Sequence, residues 1–467
     1  MNNNRKNRNI LTHETKNIAR GERLNNRDFI WKIITVIVLL EIILIAPVLS
    51  SFTNTAIIEN IGQISTSYIV ARSGNPQDIQ AAVDTVAAVG GGTVYIPAGD
   101  WVFNIPSNAD CGVEVPGGVN LIGAGKDVTI LRMTQPFQDQ RNQVMIGVDG
   151  RNMKSTRVSG ITFIGNMSNG EGTQYGLTGL SLDNCKNFRV DHCKFIDFSG
   201  SGVDAGVYTV AVNPENGEYQ YYWNWGLIDH CDFDNPYKDT VGGSWGYGIS
   251  VFGPGRPDAW LYDLNDILGK WDIETNPIRC ALYEWNSQQQ KYQLVSTNGG
   301  KYFRWLVYIE DCTFNRCRHG VASSNEAFYV ARHCTFTRPE PYCLVDVHGA
   351  LGVDWWGGRG MEVYDCTLDG TGWAVSIAAI DYRGGGGVCF NNLIKNIPYG
   401  VRMSADNQQQ WVCLVNNLWI WGNTFQNVDT QIHDMYDLYT EGQQYHLQAP
   451  ANYQPYPYPH PLTQATS

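Results

Sequence analysis

Charge is scarce in this chain, and positive charge is scarcer still. Lys, Arg, Asp and Glu make up 17% of the 467 residues, with 33 basic side chains against 45 acidic ones. So little charge beside 12% aromatic residues excludes an intrinsically disordered protein, which is charge-rich and aromatic-poor. It also excludes a coiled coil, which is rich in Ala, Glu, Lys and Leu. The charge is unevenly placed along the chain. Residues 1–32 hold Arg5, Lys6, Arg8, Lys16, Arg20, Arg23, Arg27 and Lys32 against Glu14, Glu22 and Asp28, a net of +5, and the remainder nets −17. A body that acidic repels phosphate, so no nucleic-acid partner is expected. No Cys-x-x-Cys occurs among the 12 Cys, which argues against a zinc site. GAGKD (123–127) lacks the rest of a phosphate loop and falls between strand signals, so a nucleotide site is rejected. Length alone allows two or three domains, although an elongated all-β fold can run as one unit.

Long apolar runs are absent except for one. Residues 33–49 read IITVIVLLEIILIAPVL, with Ile30 and Trp31 before and Phe52 after, enough to span a bilayer. Glu41 in mid-span costs roughly 2–3 kcal/mol at that depth, which the surrounding Leu and Ile offset. The run is apolar on every face, unlike a surface helix. The sequence thus divides into a cytoplasmic basic tail (1–29), an anchor (30–52) and a body held outside, by the positive-inside rule. A cleaved signal, releasing a secreted body, is the alternative. The 32-residue basic lead and the lack of a small-x-small site close behind the run favour the anchor.

Beyond the anchor the chain turns to strands. In DIQAAVDTVAAVGGGTVYIPAGDWVFN (78–104), Ile79, Ala82, Val83, Val86 and Ala87 keep helical spacing, Gly90–Gly92 stop the helix, and TVYIPAG reads as strand and turn. A helix ahead of Gly-punctuated strands suits the covered end of a solenoid. The body then repeats: VDHCKF (190–195), IDHCDF (228–233), IEDCTF (309–314), VARHCTF (330–336) and VYDCTL (363–368), with CFNNLI (389–394) and IWGNTF (420–425) carrying Asn in place of Cys. VARHCTF holds one residue more than the others, which predicts a bulge. The ladder positions Cys193, Cys231, Cys312, Cys334, Cys366, Asn392 and Asn423 are separated by 38, 81, 22, 32, 26 and 31 residues. The short spacings suit one coil each, and the long ones predict inserted loops or unrecognised coils. Second strand signals follow at GISVF (248–252), GVASS (320–324), LVDVH (344–348), AVSI (374–377) and GVRMS (400–404). Stacked coils about 4.8 Å apart place like residues on like, apolar side chains inward and Asn amides bonding along the ladder.

The DIQAAVD…GGGTVYIPAG…VNLIGAG opening and the V-x-x-[CN]-x-[FL] coils resemble the pectin lyase-like parallel β-helix superfamily, over roughly residues 68–430. The resemblance implies an all-β fold: a right-handed, single-stranded parallel β-helix with an N-terminal capping helix, here preceded by one transmembrane helix. Residues 255–302 interrupt the repeat as a polar, aromatic insertion, and residues 431–467 form a Tyr/Pro-rich tail expected to be extended and mobile. Because Cys193, Cys231, Cys312, Cys334 and Cys366 share one inward column, they are expected as buried thiols. Cys312 with Cys317, or Cys334 with Cys343, remain open as pairs.

The densest polar set lies in successive coils: CRHG (317–320), LVDVHG (344–349), GGRG (357–360) and DYRG (381–384). With Val345 and Val347 inward, Asp346 and His348 face outward, and GVRMS brings Arg402 into the column of Asp346. Arg318, His319, Arg359, Arg383 and Asp381 join them along one edge, with Trp355 and Trp356 beside. Arg clamps sugar carboxylates. Removing the proton beside a carboxylate needs a base and a cation to hold the enolate. His348 or His319 is the candidate base and Asp346 its orienter, whereas hydrolysis would use Asp346 and Asp381 as a pair. Arg318, Arg359, Arg402, Trp355 and Trp356 are read as substrate-binding.

The R-H…D-x-H…R-G order also resembles a motif of β-helix proteins from phage tails and related surfaces, some of which act on polysaccharides. That resemblance carries over Arg318, His319, Asp346, His348 and Arg383. Calcium enters through calcium-dependent pectate lyases, which hold it with clustered Asp beside a basic Arg. No such acidic cluster is found here, which counts against pectate cleavage. His192 and His230 share a register and pose a two-His metal site without a third ligand, and Asn166-Met167-Ser168 is a glycosylation acceptor. DYRGGGG (381–387) reads as a tight turn. Two functions follow: an enzyme acting on extracellular polysaccharide as lyase or glycoside hydrolase, or a non-catalytic adhesin, envelope or glycan-binding protein whose Asp, His and Arg simply pair on the surface.

Overall fold

Each coil of the body turns at a residue in left-handed backbone geometry. His192, His230, Asp311, His333, Asp365 and Asn391 all hold φ between 52° and 55°, flanked in the same series by Gly160 at 69° and Gly422 at 65°. The Cys or Asn of the ladder follows immediately, so every V-x-x-[CN]-x-[FL] segment is a corner joining two strands, not one continuous strand. The computed structural model describes residues 68–135, 142–166, 176–206, 211–212, 219–220, 224–236, 246–253, 282–286, 291–296, 305–325, 327–338, 342–349, 357–358, 360–372, 378–405, 414–451 and 453–464. The expected basic tail and anchor (1–52) lie outside these residues. Among the described residues no helix is long and apolar enough to cross a membrane.

The strands before the corner form a twelve-stranded parallel sheet, the first face. It runs from Tyr68–Val70 and Gly92–Ile96 through Lys186–Asp191, Asn224–Asp229, Trp305–Glu310, Phe328–Arg332 and Gly360–Tyr364 to Tyr445–His446. The strands after it form a second sheet that bends into two further faces. Short strands such as Lys194–Ile196, Asp232–Asp234 and Thr313–Asn315 make the second face. Ser201–Gly206, Tyr247–Phe252, His319–Ser324, Val345–Val347 and Ala378–Tyr382 make the third, and Leu393–Met403 and Thr424–Asp434 run through the bend. The expected all-β parallel solenoid is therefore present, with three faces per coil where two strand signals were read.

Like stacks on like inside. Phe163, Phe195, Phe233, Phe314 and Phe336 form one column with ring centroids 4.9, 5.1, 4.8 and 4.6 Å apart, filling the core beneath the second face. The ladder cysteines are buried, and all ten cysteines described are free, including Cys317 and Cys343, so neither open disulfide pair forms. Asn392 Nδ2 donates to Asn423 Oδ1 at 2.9 Å, and Cys366 N donates to Asn392 Oδ1 at 3.0 Å, the amide ladder expected of that column. The helix Pro76–Ala88 buries Ile79, Ala82, Val83 and Val86 in the same core.

Three sequence expectations are corrected. VARHCTF has no bulge: Ile309 pairs with Ala331 and Glu310 with Arg332 without a register shift, because Val330 sits one position earlier, beside Tyr308. The 81-residue spacing is the expected inserted loop and not unrecognised coils: Asp229 and Glu310 are direct ladder partners, and the insertion contains an antiparallel hairpin, Leu282–Asn286 with Lys291–Ser296. DYRGGGG is not one turn. Asp381 and Tyr382 end a third-face strand, and Gly385–Phe390 is already the first face. AVSI falls outside the described residues, and the strand of that coil is Ala378–Tyr382. Finally, the tail is not loose: Tyr445–His446 adds a strand to the first face, and Tyr453, Tyr456 and Leu462 pack on its outer side.

Candidate functional site

The outer side of the third face gathers the polar residues. Strand alternation puts Val345 and Val347 in the core and turns Asp346 out. Ladder partners then stack Ala322, Asp346, Asp381 and Arg402 in one column. The ladder continues past the strand ends: His348 N donates to Ser323 O at 2.8 Å, Arg383 N to Val347 O at 3.1 Å and Ser404 N to Tyr382 O at 2.8 Å. His348, Arg383 and Ser404 thereby form a second column two residues along. Tyr247 and His319, themselves ladder partners, approach from the other side.

These side chains converge. His348 Nε2 lies 2.8 Å from Asp346 Oδ2 and 3.2 Å from the Tyr247 hydroxyl, while its Nδ1 lies 2.9 Å from Arg383 Nη2. Arg383 Nε is 3.7 Å from Asp346 Oδ1. On the next coils Arg402 Nη2 donates to Asp381 Oδ2 at 2.5 Å, and Ser404 Oγ donates to Asp381 Oδ1 at 3.1 Å. His319 Nδ1 lies 3.0 Å from the Cys343 carbonyl, which can only accept, so Nδ1 carries the ring proton. Its Nε2 is buried and has no hydrogen-bond partner among the described residues. The Arg318 guanidinium stacks over Tyr342, 4.2 Å from the ring centroid, and stands 5.7 Å from that of Tyr247.

Burial and charge set the protonation states. Burial works against the Asp346 carboxylate, but the charge of the Arg383 guanidinium outweighs it and holds the carboxyl well below the usual range. Burial pushes His319 well below the usual histidine range, so its ring is neutral. Burial pushes the Tyr247 phenol up, so it stays protonated. For Asp381 burial also raises, and the bond from Arg402 opposes it. Asp346 and Asp381 are fully buried, whereas His348, Arg383 and Arg402 reach solvent, with side-chain exposures of 15%, 14% and 18%, and Arg318 is also partly exposed.

Of the ten residues singled out in the sequence, Asp346, His348, His319, Arg383, Asp381, Arg402 and Arg318 come together. Arg359, Trp355 and Trp356 lie outside the described residues. Tyr247, Cys343 and Ser404 were missed. Their signal was register: each occupies the coil position of a residue already named, which only a full strand alignment exposes. Two groups of metal-type donors occur among the described residues, His319 with Asp346 and His348, and Cys343 with Asp346 and Asp381, the donors of each within 4.8 Å of one another. Calcium takes about six to eight oxygens, and neither group offers such a set. His192 and His230 stand apart on the first face, rings stacked 4.9 Å apart, each Nδ1 2.9 Å from the carboxylate of its neighbour Asp191 or Asp229. They serve that corner ladder.

No protein-family model matches the chain. In sequence it is similar to alginate lyase 7 of Azotobacter vinelandii, 30% identical over 95 residues, which are 20% of this chain and 11% of that protein. The mannuronan C5-epimerase AlgE2 of the same organism is also 30% identical over 95 residues, 20% of this chain and 10% of that protein. The chain thus matches about a tenth of the length of these relatives. Among solved structures it is similar to an alginate lyase from Paenibacillus sp. str. FPU-7, with a TM-score of 0.40 and 11% identity over 82% of this chain and 98% of that one.

Proposed function

We propose that this chain, a pectin lyase-like parallel β-helix, acts on a uronate-containing polysaccharide by removing the proton beside the sugar carboxylate, with its body presented outside the cell. One observation carries the reading: a histidine, oriented by a buried ionised aspartate, stands at the solvent edge of the cluster with two guanidinium groups. His348 is the base. Asp346 holds its ring, and Arg383 and Arg402 offer donors to the carboxylate as the enolate charge develops on it. The protonated Tyr247 hydroxyl, 3.2 Å from His348 Nε2, is the nearest proton donor. Loss of the C5 proton followed by departure of the C4 oxygen is elimination; return of a proton to the other side of C5 is epimerisation. The sequence relatives named as an alginate lyase and a mannuronan C5-epimerase support this pair of outcomes.

The hydrolytic pair fares worse. Glycosidase carboxyls flank the bond they cleave, whereas Asp346 and Asp381 stand side by side in one column, both fully buried and one bound by Arg402. A second reading, a non-catalytic glycan binder, is favoured by that internal pairing. The test is the full chain incubated in deuterium oxide with polymannuronate, polyguluronate, polygalacturonate and a neutral mannan, with calcium or a chelator. The expected result is the ultraviolet band of an unsaturated uronate, or deuterium at C5 without it, on a uronate polymer alone. Both should fall about 10²–10⁴-fold in His348→Gln. Reducing ends with neither signal would establish hydrolysis instead, and binding without any chemistry would establish the glycan binder.

A further inference from the structure

We infer that Arg383 masks the basic nitrogen of His348 in the ligand-free protein, and that a substrate carboxylate unmasks it by drawing Arg383 away. The inference rests on the proton-abstraction reading above and adds to it how the site selects acidic sugars.

The tautomer of His348 is fixed by Arg383. A guanidinium has donors only, so the 2.9 Å approach of Arg383 Nη2 to Nδ1 requires a lone pair on Nδ1. The ring proton is then on Nε2, which is hydrogen-bonded with the Tyr247 hydroxyl at 3.2 Å and lies 2.8 Å from the ionised Asp346 Oδ2, close enough for charge attraction but outside hydrogen-bond geometry. An aspartate on one ring nitrogen and a lone pair on the other is the arrangement of an oriented general base. Here, however, the lone pair is already taken. While Arg383 donates to Nδ1, that nitrogen accepts no proton from a sugar.

Arg383 can be drawn off by one class of ligand. Its side chain, like those of His348 and Arg402, reaches solvent. A uronate carboxylate offers it a charged, two-oxygen acceptor, a stronger partner than a neutral imidazole nitrogen. Turning to that carboxylate, Arg383 frees Nδ1 and takes up the position that the enolate charge requires. The C5 proton then passes to Nδ1, making an imidazolium that the adjacent Asp346 carboxylate stabilises by charge, and the C–H electron pair moves into the carboxylate facing Arg383. In elimination that pair forms the C4–C5 double bond as the C4–oxygen bond breaks and the leaving oxygen takes a proton from the Tyr247 hydroxyl. A neutral sugar has nothing to move Arg383, so it meets a masked base.

The experiment is nitrogen NMR of the full chain carrying ¹⁵N-histidine, with the His348 resonances assigned by their loss in His348→Gln. At neutral pH the free protein should show a protonated Nε2 and an unprotonated, hydrogen-bonded Nδ1. A mannuronate tetramer should shift Nδ1 toward a free lone pair, and a neutral mannose tetramer should not. Arg383→Gln should show the shifted Nδ1 without ligand and lose the preference for the acidic tetramer. A free protein with its proton on Nδ1, or an acidic tetramer that binds and leaves Nδ1 unmoved, overturns the inference while leaving uronate chemistry standing. A protein that binds no uronate overturns the proton-abstraction reading and the unmasking together. Masking is then still judged by comparing ligand-free wild type with Arg383→Gln.

Discussion

His319 shows how much a single position depends on its surroundings. Its ring is fully buried, its Nδ1 proton goes to the Cys343 carbonyl, and its Nε2 stays unprotonated against Asp346 and His348. Burial holds its folded-state value well below that of an exposed histidine. The sign follows from linkage: the unfolded chain takes up a proton near pH 6.5 and the folded one does not, so stability is complete above that pH and falls below it. Each pH unit below the ordinary histidine range should cost about 1 kcal/mol from this ring alone until the folded ring also protonates. Urea unfolding at pH 7.5 and 5.5 checks this, because His319→Gln should flatten the acid-side fall. An equally steep fall in the variant would place the titrating group elsewhere. At this scale Asp346 and His348 were legible in the sequence, because strand alternation alone turns both outward from Val345 and Val347. Tyr247 was not, since it enters from a neighbouring coil whose register depends on an insertion of unknown length.

The coil is the element that the repeat pattern encodes, and its corner carries a cost that the sequence displays openly. A left-handed backbone is unfavourable for residues with a Cβ and least so for Gly, Asn and Asp. The corner series uses Gly160, Asp311, Asp365, Asn391 and Gly422, with His at 192, 230 and 333. The sequence made the Cys and Asn ladder visible but not the residue before it, and a stacked His192–His230 pair looks like half a metal site until φ is known. The same lack of φ left the residue that makes the corner unassigned, and two strands per coil were read where there are three. Asp365 isolates the cost: it sits in the series with φ of 55°, its carboxylate 4.0 Å from His333 Nε2. Asp365→Gly should leave stability within about 0.5 kcal/mol, and Asp365→Val should lose about 1–2 kcal/mol, the penalty of a branched side chain in left-handed geometry. Equal losses from both, in matched denaturation curves, would show that the corner is set by the neighbouring coils and not by the residue.

Over the whole molecule, the coils are tied together by a segment that composition alone presents as loose. The Tyr/Pro-rich tail lacks a hydrophobic periodicity, and nothing in it predicts a partner. Its bonds are lengthwise. Tyr453 donates to Glu362, the carbonyls of Tyr456 and Pro457 accept from Arg332, His460 N donates to Glu310, and the Thr463 carbonyl accepts from Arg189. The tail therefore runs back along the first face from the coil of Glu362 to that of Arg189. Beneath it Arg332 has no exposed surface, bonding Glu310 Oε1 from Nε at 2.9 Å and the Tyr364 hydroxyl at 2.9 Å. A buried pair broken on one side leaves an uncompensated charge, so Arg332→Ala should cost about 3–5 kcal/mol in the intact chain. A chain ending at residue 446 keeps the Tyr445–His446 strand but loses the cover, which returns the pair to water. There the same substitution should cost only about 0–1 kcal/mol. The four proteins make a thermodynamic cycle. If Arg332→Ala cost the same with and without residues 447–467, the tail would lie over the ion pair without burying it, and its many bonds would contribute little to holding the coils in register.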